Sequence, residues 1–278
     1  MEYFVEPKLQ FGHYFEHEDS KTGLSEYGPF GKNIDGLHPS EIKLGFIGTR
    51  ETVSDAKVWI EELGSEIESE KSKKKHGKSS QTTQASLFQA VESDVEHSSV
   101  RYDKILNPDF IGFNRDIPFT SRFLLNDRWD RFVQPREIDQ LLRIDDKAKR
   151  IWELVRLFAS AVENLATTSP TPDIIIVALP PQIVEHAHSV QVSGNFHLNF
   201  RRALKARAMQ WDVPLQLLQR RTVLSTGEDI QDKATRAWNF CTAQYYKADG
   251  APWRPLTLED NICFVGISFY VERVAELL

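Results

Sequence analysis

The chain has 278 residues, 41% of them hydrophobic and 27% charged, with a formal net charge of −6. That length supplies one large domain or two smaller ones, with the apolar content of an ordinary soluble globular protein. Its composition excludes a membrane-spanning apolar stretch, a disulfide framework or zinc site (the only cysteines are Cys241 and Cys263), and indiscriminate binding to nucleic acid, though not a focused basic pocket.

The N-terminal MEYFVEPKLQFGHYFEHED lacks the basic start and cleavage site of a signal peptide, so a cytoplasmic setting is expected. Residues 1–40 are rich in aromatics and glycine, which predicts short strands and turns, not helix, packed against another part of the molecule. KLGFIGT then reads as a strand ending at Gly48, and ETVSDAKVWIEEL as an amphipathic helix with Val53, Ala56, Ile60 and Leu63 near helical spacing. From about residue 65 to 100 the composition is polar, an insertion centred on KSKKKHGKSSQTTQ. Its HGKSS resembles the end of a phosphate-binding loop, but Ser72 stands where the first glycine belongs and no buried strand precedes it.

Beyond Tyr102, ILNPDFIGFNRDIPFTSRFLL predicts short strands and turns, and QPREIDQLLRI a short helix after Pro135. The clearest helix runs from Asp146 to Leu165, its apolar stripe including Ile151, Leu154, Val155, Phe158, Val162 and Leu165. After SPTP, IIIVAL reads as a strand covered on both faces, as in a parallel sheet. A polar loop, 180–196, leads to the basic segment FRRALKARAMQWDVPLQLLQRR. There Arg201 and Lys205 are four residues apart, one turn above the other on a helix, with six Lys or Arg against the single acid Asp212 between residues 201 and 221. VPLQLLQRRTV reads as a strand, KATRAWNFCTAQYYKADG as a helix closed by Gly250, and NICFVGISFYV as a further strand. The order is that of an α/β, Rossmann-like fold, and positive charge beside the carboxyl end of a buried strand predicts an anion site.

EPKLQFG and GLSEYGPF, then LGFIGTRET, PDIIIVALP, RRALKARAM with VPLQ, RAWNFCTAQYYKADGAPW and CFVGISFY occur in an order that resembles the short prokaryotic Argonaute family over nearly the whole chain. The resemblance implies an N-terminal strand and turn segment, 1–40, packing on the PIWI domain or a partner. Residues 41–250 would form a MID domain with a parallel sheet flanked by helices. Residues 251–278 would begin an RNase H-like PIWI domain that the chain does not complete. In that family the MID domain grips the 5′ phosphate of a guide strand, and the matching positions here are Arg201, Lys205, Gln216 and Lys247. Many members have tyrosine at the first position; arginine exchanges base stacking for a second charge and a bidentate contact. Many eukaryotic members have a lysine where Ala243 stands. The family's first PIWI metal-binding aspartate falls at Ser268, a poor ligand, so no catalytic residue is expected.

The resemblance further implies a guide RNA (or DNA), a DNA target, and an effector protein with an APAZ region and a TIR, sirtuin-like or nuclease domain, in prokaryotic immunity, with higher oligomers on activation. It admits a Mg2+ ion bridging the guide 5′ phosphate and no intrinsic cofactor. From the residues alone other readings stand beside it. RRxxKxR fits a solvated cationic helix face, Lys247 fits the dipole of a helix C-terminus, and Gln216 fits a turn cap. His186 and His188, with Lys205 beyond them, fit a hydrolase or metal phosphodiesterase; His13, His17, Glu18 and Asp19 fit a metal site or a polar turn. A non-catalytic assembly module that docks through its aromatic N-terminus is the third.

Overall fold

A computed structural model describes residues 7–70, 107–194, 196–226 and 230–256. In chain order the elements are β1 (Leu9–Gln10), β2 (Glu16–His17), α1 (Ser20–Tyr27), β3 (Glu41–Gly48), α2 (Arg50–Glu62), β4 (Arg122–Phe132), α3 (Pro135–Leu142), α4 (Lys147–Ala166) and β5 (Ile174–Leu179). They continue with α5 (Pro181–His186), β6 (Ser189–Ser193), β7 (Phe196–Asn199), α6 (Phe200–Ala208), β8 (Leu215–Gln219), α7 (Arg220–Leu224), α8 (Lys233–Lys247) and β9 (Arg254–Pro255).

Four of the strands form a parallel sheet in the order β4-β3-β5-β8. The central strand β5 is buried at all six positions, and its alternation divides the molecule. Ile174, Ile176 and Ala178 meet α2 and α8 in one core; Ile175, Val177 and Leu179 meet α3, α4 and α6 in the other. The fold is therefore α/β, a parallel sheet between two helical layers, compatible with a Rossmann-like arrangement. The strands of the expected PIWI domain, Ser268 and the HGKSS segment lie outside the described residues.

Local sequence accounts for most boundaries. Thr49 and Thr52 cap α2 reciprocally, and Asp146 caps α4 by accepting from Ala148 N (2.8 Å) and Lys149 N (3.0 Å). Three expectations need correction. Residues 1–40 contain the helix α1, started by Asp19, whose carboxylate accepts from Thr22 N at 2.7 Å. The stretch after Phe119 is one long strand, β4, paired with β3 through a register shift between Leu44 and Phe46 that accommodates its polar middle. In VPLQLLQRRTV only Leu215–Gln219 is strand, and the chain turns directly into α7.

The N-terminal segment, expected against PIWI or a partner, packs on the α8 side of the sheet, with Phe11 and Leu24 buried in that core. There it forms a small antiparallel sheet, β2-β1-β9. A β-carbon on Gly23 would lie 2.2 Å from the Phe11 ring, which is fully buried. Gly→Ala inside a helix ordinarily gains about 0.5–1 kcal/mol, but overpacking a filled core costs about 1–3 kcal/mol. Gly23→Ala is thus expected to lower the melting temperature, and an unchanged or raised value in a thermal melt would contradict this packing.

Candidate anion-binding site

The helix α6 starts at Asn199, whose side chain accepts from Arg202 N at 3.1 Å. Phe200, Leu204 and Ala208 recur every fourth residue and are buried, with Phe200 edge-on to Phe158 of α4 at 5.6 Å. Arg201 and Lys205 each follow a buried residue, so both lie about 100° round the helix from that stripe. Gln216 is on β8, the edge strand. Leu215 and Leu217 pack with the α4 and α6 layer, and Leu218 with the opposite layer; alternation turns Gln216 toward α8. Lys247, the last residue of α8, donates from Nζ to Gln216 Oε1 at 2.5 Å and to Leu215 O at 3.1 Å.

Beside β8, an edge strand among the described residues, Gln216 is bonded to Lys247 of α8, and Arg201 and Lys205 of α6 are near enough for their charges to act on that ammonium. Lys247 is half-buried. Burial, and then the positive charges of Lys205 and Arg201, push its ammonium down to about 8. Lys205 is lowered by burial and by Arg201. Among the described residues, neither Arg201 nor Lys205 makes a hydrogen bond or ion pair. Lys247 bonds across to β8, not to its own helix end, so the helix-dipole reading does not describe its contacts. Gln216 accepts from Lys247 and donates to Leu217 O (3.0 Å); it sits within the strand and caps no turn.

Beside this cluster is a cleft of about 430 Å³ that reaches Leu179 and Gln219, the last residues of β5 and β8. Arg201, Gln216, Arg221, Arg236 and His188 line it, as does Ala243 one turn before Lys247. No Asp or Glu is among its lining residues, in a chain that is acidic overall. On the far side of Lys247 a separate groove carries Asp173, Asp212 and Asp249, but the ammonium is bonded toward Gln216.

The usual ligand position of an open α/β sheet is the crevice where strand order reverses, here between β3 and β5. That crevice is only about 140 Å³, and Arg220 is held there by Asp55 (2.7 Å) and Glu51 (2.6 Å). The cationic opening lies one strand over, along the β8 edge. This adjusts the expectation of a site above the buried strand's carboxyl end.

No protein-family model matches the chain, and no curated protein matches it.

The histidine candidates are dispersed. His186 is exposed beside Glu185 at 3.7 Å, and His188 lines the cleft without another metal-ligating partner. His17 Nδ1 accepts from Asp19 N at 2.9 Å while Asp19 caps α1, a polar turn. Among the described residues no three His, Cys, Asp or Glu side chains are grouped to hold a metal ion. Cys241 is buried, which raises its thiol well above the ordinary value. The stretch 180–196, expected as a loop, contains α5 and β6 and leads into β7.

The sequence reading missed Arg221 and Arg236. Arg236, Phe240 and Gln244 recur at four-residue spacing and all line the cleft. A charged residue within that otherwise buried stripe was the available signal.

Proposed function

We propose that this chain is a guide-binding, catalytically inactive short prokaryotic Argonaute, and that Arg201, Lys205, Gln216 and Lys247 grip the 5′ phosphate of a guide strand. The observation that carries the reading is a lysine, Lys247, bonded to Gln216 and within reach of the charges of Lys205 and Arg201, beside a cleft with no carboxylate among its lining residues. Cations that depress one another are costly in the free protein, and a dianionic terminal phosphate removes that cost while accepting several hydrogen bonds. Arg201 supplies a planar fork for two phosphate oxygens, and Lys205 and Lys247 supply point charges. Gln216, itself on the cleft wall, holds Lys247 against β8 and keeps one amide hydrogen for the ligand.

The donor set does not suit a protein-held Mg2+. The only side-chain oxygen among the four residues is the Gln216 amide oxygen, which already accepts from Lys247. The reading therefore routes nothing through a metal.

In this proposal the chain does not cleave nucleic acid, because Ser268 stands at the position of the family's first metal-binding aspartate. Guide-directed recognition of invading DNA would instead activate an APAZ-bearing effector with a TIR, sirtuin-like or nuclease domain, in the cytoplasm of a prokaryotic cell. No described helix is long and apolar enough to cross a membrane.

The deciding measurement compares 5′-phosphate and 5′-hydroxyl RNA of one sequence at fixed salt, since contacts to the strand backbone vary steeply with ionic strength. The phosphorylated strand is expected to bind more tightly by about a hundredfold or more, the contribution of at least two charge-assisted hydrogen bonds. Equal affinities would reject the reading and favour a protein-docking face.

A further inference from the structure

We infer that His38 and Tyr245 are positioning residues for the anion site: together they latch the end of α8 to the N-terminal segment and thereby set where Lys247 stands against β8. The latch is read from its own contacts; its effect on binding rests on the 5′-phosphate reading.

Tyr245 and Lys247 share the last turn of α8. Two residues at about 100° each put their side chains on nearly opposite sides of the helix. Lys247 reaches β8, donating to Leu215 O at 3.1 Å and to Gln216 Oε1 at 2.5 Å. Tyr245 is fully buried on the other side, with its hydroxyl 2.9 Å from His38 Nδ1. The helix end is therefore held between the sheet and residues 30–38. The chain just beyond it is bound to the same segment. Ala251 N donates to Leu37 O (3.0 Å), while Gly31 N and Phe30 N donate to Ala251 O (2.8 Å) and Pro252 O (3.0 Å).

The polar chain through His38 has one proton for each link. Thr120 Oγ1 donates to Phe119 O at 2.8 Å, so at 3.2 Å it accepts from His38 Nε2. A neutral imidazole with its proton there leaves Nδ1 to accept from the Tyr245 hydroxyl. Leu37 O, at 3.4 Å, is the more distant acceptor for that hydroxyl. Burial, aided by the charge of Lys32 and opposed by a hydrogen bond with the Thr120 backbone, lowers the His38 ionisation and keeps the ring neutral. Thr120 is itself a β-branched residue at a φ of 50°, a strained conformation that persists where the surroundings over-determine it. The Tyr245 ring would fill the core without its hydroxyl; the hydroxyl fixes one register between helix and segment.

That register matters at Lys247. Its lowered ionisation depends on being held half-buried, near Lys205 and Arg201; Asp173, Asp212 and Asp249 line the groove on its other side. A helix end released from the segment lets the ammonium move toward water, where its ionisation returns toward the ordinary 10.5 and its aim at a phosphate is lost.

The test measures binding of 5′-phosphate and 5′-hydroxyl RNA of one sequence to the full chain, at fixed salt, from pH 7 to 10. Tyr245→Phe keeps the buried ring. It is expected to weaken the phosphorylated strand about fivefold at pH 7, the scale of one neutral hydrogen bond, and to leave the hydroxyl strand within about twofold. The pH at which the phosphorylated strand begins to lose affinity, about 8 in wild type, should move upward as Lys247 becomes more exposed. His38→Leu removes the acceptor and should match Tyr245→Phe, with the double variant no weaker than either. His38→Asn, which places an amide oxygen near the Nδ1 position, should restore most of the affinity. A lower melting temperature with no change in the pH onset means packing alone and overturns the latch. Equal losses on both strands overturn it too, as does unchanged affinity in both Tyr245→Phe and His38→Leu. A wild type that does not distinguish the two strands instead fails the 5′-phosphate reading, and this inference falls with it.

Discussion

Replacing Arg201 and Lys205 together by alanine is expected to weaken binding of 5′-phosphorylated RNA by about a hundredfold or more, and to leave 5′-hydroxyl RNA almost unaffected. Each charge-assisted contact to a phosphate is worth about 1.5–3 kcal/mol, and a factor of ten corresponds to about 1.4 kcal/mol, so losing two contacts exceeds a hundredfold. Folding should survive the change. Arg201 is exposed, Lys205 is half-buried, and neither has a hydrogen-bonding partner among the described residues. Their removal also relieves the repulsion on Lys247, so the unliganded variant should melt no lower than wild type. Fluorescence anisotropy with both strands, at one salt concentration, reads the result. Equal affinity across both proteins and both strands would remove these residues from any phosphate site.

Affinity for the 5′ phosphate should also fall as pH rises above about 8, by up to roughly tenfold per pH unit. In the free protein burial, Lys205 and Arg201 hold Lys247 near 8, from an ordinary value of 10.5. A bound phosphate favours the charged ammonium and raises it again. Below 8 Lys247 is already protonated and affinity is flat; above 8 binding must take up a proton and weakens. The phosphate itself does not titrate in that window, its second ionisation lying near about 6. Lys205, also lowered, contributes in the same direction. Lys247→Met should flatten much of the dependence and weaken binding at neutral pH. Unliganded stability has the opposite slope. Between about 8 and 10.5 the unfolded chain retains the Lys247 proton that the folded chain has lost, so stability rises with pH through that window. A wild-type affinity that stays level from pH 7 to 10 would detach Lys247 from the ligand.

Much of the fold was legible because it is locally written. IIIVAL is a buried strand by composition and length, and the stripe from Ile151 to Leu165 fixes α4 by its spacing. The same-face relation of Arg201 and Lys205 follows from helical periodicity alone. The α1 helix was hidden because Gly23 lowers the helical signal of SKTGLSEY; Asp19 and the buried contact at Leu24 outweigh it. In β4 the polar centre breaks alternation, so the local pattern predicts fragments, and pairing along β3 overrides that weak local preference.

For the site, the sequence by itself determined the residue types and the pairing of two cations on one helical face. The resemblance added Gln216 and Lys247. Only the tertiary structure decided that β8 is an edge strand among the described residues, that Gln216 faces α8, and that Lys247 of α8 feels the charges of Arg201 and Lys205 from the opposite layer. It also decided that Arg220 is paired with Glu51 and Asp55, while Arg236, a residue of the same type, is buried beside a cleft with no ion pair among the described residues. The physical reason is range. Periodicity and capping act within one or two helical turns, whereas strand order and charge pairing join residues far apart in the chain, which no local pattern encodes.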